Sequence, residues 1–287
     1  MRPRLSCLLL LPVIAACGKE TPAPVEAKAA LPVIVEPAVR TVKDGDAVRF
    51  LFDSPEAYAV TVTVRAQLQG MEADRRLPLT RSSQGAREQA LFTLRPVPGG
   101  AGGKYRYEWR WQCGDAGGVH DGAQAYLLPL APGADYELIQ GAGGSFSHQG
   151  ASFNAYDFSA PEGTAVRAAR AGVVCATRAD SDRGGPTRDY ADDANYVAVV
   201  HADGTVGWYL HLRQHGVVVE PGEAVAAGQV LGYSGNTGYS SRPHLHFEVY
   251  KPLSGYARRS LPVRFDTGAG EPQALEQGRY YQPAAGR

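Results

Sequence analysis

Several features that would assign a broad class are missing from this chain. Lysine and arginine together number 29, as do aspartate and glutamate, so the formal net charge is zero. No basic excess invites nucleic acid, and no long run of one sign marks a charged tail. The uncharged run Leu5 to Ala16 is shorter than the ~20 residues that a membrane-spanning helix needs. Cysteines number four, and none has metal-ligand spacing with another, which argues against a cysteine-held zinc. No unit repeats at a period of about 20–50 residues. No long amphipathic helix stands out.

What is present suits a β-rich globular protein. A length of 287 residues suggests about two domains. Glycine (34) and proline (20) exceed average usage, which predicts many turns and short strands. The expected fold class is mainly β.

The first residues stand apart. Arg2 and Arg4 precede the uncharged run, which ends Ile14-Ala15-Ala16-Cys17. This reads as a signal peptide over 1–16. Small residues before a cysteine resemble the lipobox of bacterial lipoproteins. The resemblance implies cleavage before Cys17 and a lipid on its thiol, anchoring the protein to a membrane. Ordinary secretion with an incidental cysteine is the alternative. Cys7 leaves with the signal, and Cys113 and Cys175 remain. An oxidising compartment permits a bridge between them, but two buried free thiols fit equally well.

Residues 17–33, rich in Ala, Pro, Glu and Lys, read as a tether. Over 34–130, alternating runs such as Ala59 to Val64 and Tyr105 to Trp111 predict half-buried strands. With turns such as Asp44-Gly45 between them, they suggest a small β-sandwich-like domain. Trp109 and Trp111 share one strand face; core packing is the expected role, a sugar platform the alternative. A second domain is expected over 135–255, with a tail over 256–287.

The second domain carries the chemistry. In Pro243-His244-Leu245-His246-Phe247-Glu248-Val249, strand alternation points His244 and His246 to one face, where two imidazoles can share a metal site. His-x-His alone is a weak signal. Ser147-His148-Gln149-Gly150 supplies another imidazole in a loop. Asp157, between Tyr156 and Phe158, is costly to bury unless paired or bound to a cation. Two histidines and one aspartate leave a tetrahedral metal one open position, as a catalytic zinc requires. His211, in the strand-like Tyr209-Leu210-His211-Leu212, offers a further imidazole. His120, His201 and His215 read as packing or solvent-facing residues. Asn195 reads as a turn residue.

These motifs resemble the lysostaphin-type (LytM-type) zinc endopeptidases of peptidoglycan. The resemblance runs from about Gly144 to Tyr250. It rests on Ser-His-Gln-Gly with Tyr-Asp-Phe, on Tyr-Leu-His-Leu, on Pro-His-Leu-His-Phe-Glu-Val, and on connectors such as Ser234-Gly235-Asn236-Thr237-Gly238. It implies an antiparallel sheet with a groove over it and one zinc per chain. His148, Asp157 and His246 are the implied ligands, and His211 and His244 the implied catalytic pair. The implied substrate is the peptide stems of peptidoglycan. One departure stands out: many members read His-x-Gly-x-Asp, whereas His148 and Asp157 are nine positions apart. Asn154, inside this longer loop, is an alternative polar contact.

The expected function is therefore hydrolysis of wall peptide cross-links. The alternatives are a non-catalytic envelope lipoprotein that regulates other wall hydrolases, and a binding protein whose first half holds glycan or a partner. The expected location is the cell envelope, facing the periplasm. Gly18, rather than an aspartate, after Cys17 favours the outer membrane.

Overall fold

Alternation of apolar and polar side chains organises about half of the described residues into strands, joined by turns and loops. The computed structural model describes residues 36–99, 103–268 and 270–284. The expected signal peptide, Cys17 and the tether lie outside the described residues. Among these, helical structure is confined to two short 3-10 turns, Gly150–Ser152 and Arg188–Asp193.

Seven strands come first: β1 (Ala38–Asp44), β2 (Ala47–Asp53), β3 (Val60–Gln69), β4 (Met71–Ala73), β5 (Leu79–Ser83), β6 (Gln89–Pro96) and β7 (Lys104–Cys113). They form two antiparallel sheets, ordered β1-β2-β6-β4 and β5-β3-β7. Phe50, Phe52 and Leu94 of the first sheet meet Val60, Val62 and Val64 of the second in one core. The expected sandwich is present. Trp109 and Trp111 lie opposite Val64 and Val62 in register and pack half-buried against this core.

The remaining strands are β8 (Ala125–Leu127), β9 (Tyr136–Gln140), β10 (Tyr156–Ser159), β11 (Ala165–Arg167), β12 (Gly172–Arg178), β13 (Gly184–Gly185), β14 (Asn195–Val200), β15 (Val206–Val217), β16 (Ala224–Val225), β17 (Val230–Ser234), β18 (Gly238–Tyr239), β19 (His244–Ser254), β20 (Ala257–Leu261), β21 (Arg264–Asp266) and β22 (Tyr280–Tyr281). The central sheet runs β16-β12-β14-β15-β19-β10-β9-β22, with β11, β17 and β20 attached at its sides. Residues 256–287, read from sequence as a tail, contribute β20 against β19 and β22 against β9. Their strands are too short for periodicity to reveal.

Strand β19 shows why the site forms where it does. Leu245, Phe247 and Val249 are fully buried in the core beneath the sheet. Each such side chain contributes roughly 1.5–3 kcal/mol when removed from water. That burial fixes the register and turns His244, His246 and Glu248 to the opposite face. Asp157 of β10 and Leu210 of β15 both pair with His246, so all three stand in one row across the sheet.

The sandwich lies over the other end of this same face. Its core continues into Ala198, Val200, Val206 and Tyr250 of the central sheet. A disulfide joins Cys113 of β7 to Cys175 of β12, with Cα atoms 6.1 Å apart, so of the two alternatives the bridge is realised. The β19–β20 turn docks on β3 and β7. Gly255 N donates to Thr63 Oγ1 at 2.8 Å, and a Cβ on Gly255 would collide with the Arg110 carbonyl oxygen. The described residues of both expected domains fall within one compact unit.

Candidate metal centre

Three elements bring three ligand-bearing side chains to one buried point. Asp157 comes from β10, His246 from β19, and His148 from the loop before the first 3-10 turn. His246 Nδ1 lies 2.9 Å and His148 Nε2 3.0 Å from Asp157 Oδ1. One ligand atom from each residue falls within 4.8 Å of the others. All three residues are buried, His148 completely. Tetrahedral zinc bonds of ~2.0–2.2 Å set ligand atoms roughly 3.3 Å apart, so the cluster has the dimensions of an ion's cage.

The hydrogen bonds fix which atoms face inward. His148 Nδ1 donates to the Gly141 carbonyl at 2.7 Å. A carbonyl can only accept, so in the neutral ring the lone pair of His148 is on Nε2. That Nε2 is buried and, despite its proximity to Asp157, has no hydrogen-bond partner. A buried, unpartnered lone pair aimed at a carboxylate oxygen fits a cation between them. Gln140 Nε2 donates to Asp157 Oδ2 at 2.9 Å, which holds Oδ1 toward the centre. Burial works against an ionised Asp157, but contacts with His148 and His246 hold its carboxyl well below the usual range. Burial likewise opposes the His246 cation, yet Asp157 and Glu248 keep its pKa up at about 9. The donor set fits a divalent ion that accepts two imidazoles and one carboxylate.

His211 and His244 flank the cluster. Their rings lie 4.5 Å apart between centroids, and His211 lies 5.9 Å from His246. His244 Nε2 is 3.8 Å from Asp157 Oδ1. The backbone explains how His211 reaches this face. Leu212 returns to the core, so strict alternation would not place its neighbour correctly. Leu210 pairs with Tyr196 and Leu212 with Asn195, which makes His211 the extra residue of a β-bulge. Its φ of 65° is the left-handed conformation. The bulge aims the side chain at the cluster.

His211 Nδ1 donates to the Thr237 carbonyl at 2.6 Å, leaving Nε2 as an acceptor. Burial, together with the neighbouring His244 and His246, lowers its pKa to about 3. His244 Nδ1 donates to the Arg242 carbonyl at 2.8 Å and lies 3.1 Å from Ser240 Oγ. Burial lowers its pKa as well. Both rings are therefore neutral at pH 7. A cavity of about 150 Å³ opens beside them, lined by Gln140, Phe146, Asp157, Tyr239, Arg242 and His244 among others. Across it Phe146 stacks on Tyr239, with ring centroids 5.0 Å apart.

Residues 151–260 match Peptidase family M23. The matched segment begins just after His148, whose place beside Asp157 and His246 is seen in the geometry alone. Within curated relatives, 99 residues are 39% identical to the peptidoglycan DD-endopeptidase ShyA of Vibrio cholerae, covering 34% of this chain and 20% of that protein. Lysostaphin of Staphylococcus staphylolyticus is 38% identical over 115 residues, 40% of this chain and 22% of its own. The glycyl-glycine endopeptidase ALE-1 of Staphylococcus capitis is 40% identical over 93 residues, 32% of this chain and 23% of its own. The chain thus spans only about a fifth of the length of these relatives. Among solved structures, lysostaphin from Staphylococcus simulans matches 44% of this chain and 47% of its own, at 29% identity and a TM-score of 0.33.

His148, Asp157, His211, His244 and His246, the five expected site residues, converge. The other histidines do not join them. His201 is buried and bonds the Ala171 carbonyl at 3.0 Å, and His215 is exposed on β15. His120 bonds the Pro262 carbonyl at 3.1 Å. Asn154 bonds Ser260 through its N and Nδ2, anchoring the long loop instead of touching the centre. Asn195 is no turn residue. It is fully buried at the start of β14, where its side chain bonds Ser181 and Leu212. Its neighbour Thr237 bonds the same Leu212 carbonyl, so the pair braces the His211 bulge. Sequence reading missed Gln140, Thr237, Ser240 and Glu248. Only Glu248 had a local signal, being two residues beyond His246 on the same strand face.

Proposed function

We propose that this chain is a zinc-dependent endopeptidase that hydrolyses peptide cross-links of bacterial peptidoglycan. The observation that carries this reading is the convergence of His148, Asp157 and His246 beside a second, neutral histidine pair. The names of the relatives supply the substrate class. His148 Nε2, Asp157 Oδ1 and His246 Nδ1 are the proposed ligand atoms. Zinc, when bound there, supplies Lewis acidity to the scissile carbonyl and acidity to a water molecule.

The remaining work falls to the chain. His211 Nε2 and His244 Nε2 are lone pairs, because the opposite nitrogen of each ring donates to a carbonyl. One of them accepts a proton from the attacking water and returns it to the leaving amine. The two rings lie too close for both to be charged, so they hold one proton between them during the reaction. The ring that carries it donates to the developing oxyanion. The net change is an amide and water giving a carboxylate and an ammonium group, both protons of the water ending on the leaving nitrogen.

The test is digestion of purified peptidoglycan with the full chain, followed by mass analysis of released fragments. The proposal expects peptide cross-links cut, cutting stopped by a chelator, and recovery with zinc. A zinc-loaded protein that releases nothing from wall material would overturn it. We also propose a lipid on Cys17 that anchors the chain in the envelope, facing the periplasm; the composition of residues 1–17 supports it. Labelled palmitate should enter the parent and not C17A. Equal labelling of both would refute the anchor.

A further inference from the structure

We infer that Arg258 and Glu248 form a positioning pair that holds the His246 imidazole for the metal. This rests on the reading of His246 as a ligand. Glu248 stands two residues beyond His246 on β19 and is fully buried. Arg258 Nε donates to Glu248 Oε1 at 3.0 Å. The second carboxylate oxygen, Oε2, has no hydrogen-bond partner. It lies 3.7 Å from His246 Nε2, the nitrogen that faces away from Asp157.

A buried carboxylate oxygen without a hydrogen bond is costly, and this one faces His246 Nε2, with Ser152 also beside the carboxylate. A metal ion on Nδ1 requires the proton of His246 on Nε2. Glu248 Oε2 is placed to receive that N–H with a small movement of either side chain. Such an outer carboxylate fixes the tautomer and ring orientation of a ligating histidine. Arg258 in turn keeps Glu248 in place. Its guanidinium lies 4.2 Å from the Trp208 ring centroid and 5.4 Å from that of Tyr250, so it is flanked by aromatic rings as well as paired.

The pair also connects the sandwich to the centre. Arg258 belongs to β20, and the turn before it is pinned to β3 and β7 through Thr63 and Gln112. The sandwich thereby sets the position of the strand whose arginine supports the histidine. This gives the first domain a structural role at the site.

The experiment measures zinc affinity of the full chain by competition with a chromophoric chelator. Parent, E248Q, R258M, R258K and the double variant E248Q/R258M are compared. E248Q keeps the shape of the side chain and removes its charge, so it should fold; the expected loss of affinity is about 10–100-fold. R258M should lose about tenfold or more, and R258K should stay within about threefold because the buried charge keeps a partner. The double variant should be no weaker than the weaker single variant, because both residues act through one histidine. In zinc-loaded protein, the Nε2 proton resonance of His246 should move upfield in E248Q. Zinc affinity of E248Q within twofold of the parent, or losses that add in the double variant, would overturn the inference. A parent that binds no zinc would instead overturn the metal site beneath it.

Discussion

Removing the Cys113–Cys175 bridge should destabilise the protein as a whole. The bridge closes a loop of 62 residues in sequence. In the chain-entropy treatment, a loop of that length restricts the unfolded state by about 4 kcal/mol at 25 °C. Both cysteines are buried, at 5% and 2% exposure, where the sandwich core runs into the central sheet. Alanine at both positions removes two sulfur atoms from that core and leaves the backbone of β7 and β12 in place. For a unit of this size, each kcal/mol shifts the melting temperature by roughly 2–4 °C, so the double variant should melt roughly 8–16 °C below the parent. Differential scanning calorimetry on oxidised parent and C113A/C175A reads this directly. Reduced parent should approach the variant. Melting within about 2 °C of the oxidised parent would refute the reasoning, and would mean that packing alone holds the sandwich to the sheet.

Four further outcomes follow from the site and its surroundings. H246A should lose zinc and hydrolysis together, whereas H211A should keep zinc, by metal analysis, and lose turnover by about 10²–10⁴-fold. N195A leaves carbonyls of Ser181 and Leu212 short of a donor, so denaturant unfolding should show a loss of roughly 1–3 kcal/mol. The same variant should lower turnover more than zinc content, because Asn195 braces the bulge that aims His211. His201 is buried neutral, with burial lowering its pKa to about 4. The unfolded chain binds its proton first as pH falls from the ordinary 6.5, so this part of the stability is full above pH 6.5 and lost by about pH 4. It amounts to about 3 kcal/mol, and H201Q should flatten the stability-against-pH curve over that window relative to the parent.

Much of the fold was legible because several of its longer strands alternate in sequence. Val60 to Val64 and His244 to Val249 announce both strand and face, since burial of one face sets the other. His244, His246 and Asp157 were legible for the same reason: polar groups on otherwise apolar strands need a purpose. The bulge at His211 was not legible, because nothing in Tyr-Leu-His-Leu shows that one residue leaves the ladder. Asn195 was misread since an asparagine beside a strand usually turns the chain, and here long-range partners at Ser181, Leu212 and Thr237 override that preference. Gln140 lies 17 residues before Asp157, and only the pairing of β9 with β10 brings them together. The arginine that supports Glu248 comes from a strand within what read as a tail. The disulfide could not be read either, because two cysteines 62 positions apart reveal neither distance nor direction.

The most direct test of the account is the zinc absorption spectrum of the loaded protein, recorded for the parent and for H148A, H246A and H211A. The account predicts one zinc per chain with two nitrogen and two oxygen neighbours in the parent, one nitrogen fewer or no zinc in H148A and H246A, and an unchanged shell in H211A. A parent shell closed by four protein side chains, or one that loses a nitrogen in H211A, would contradict it.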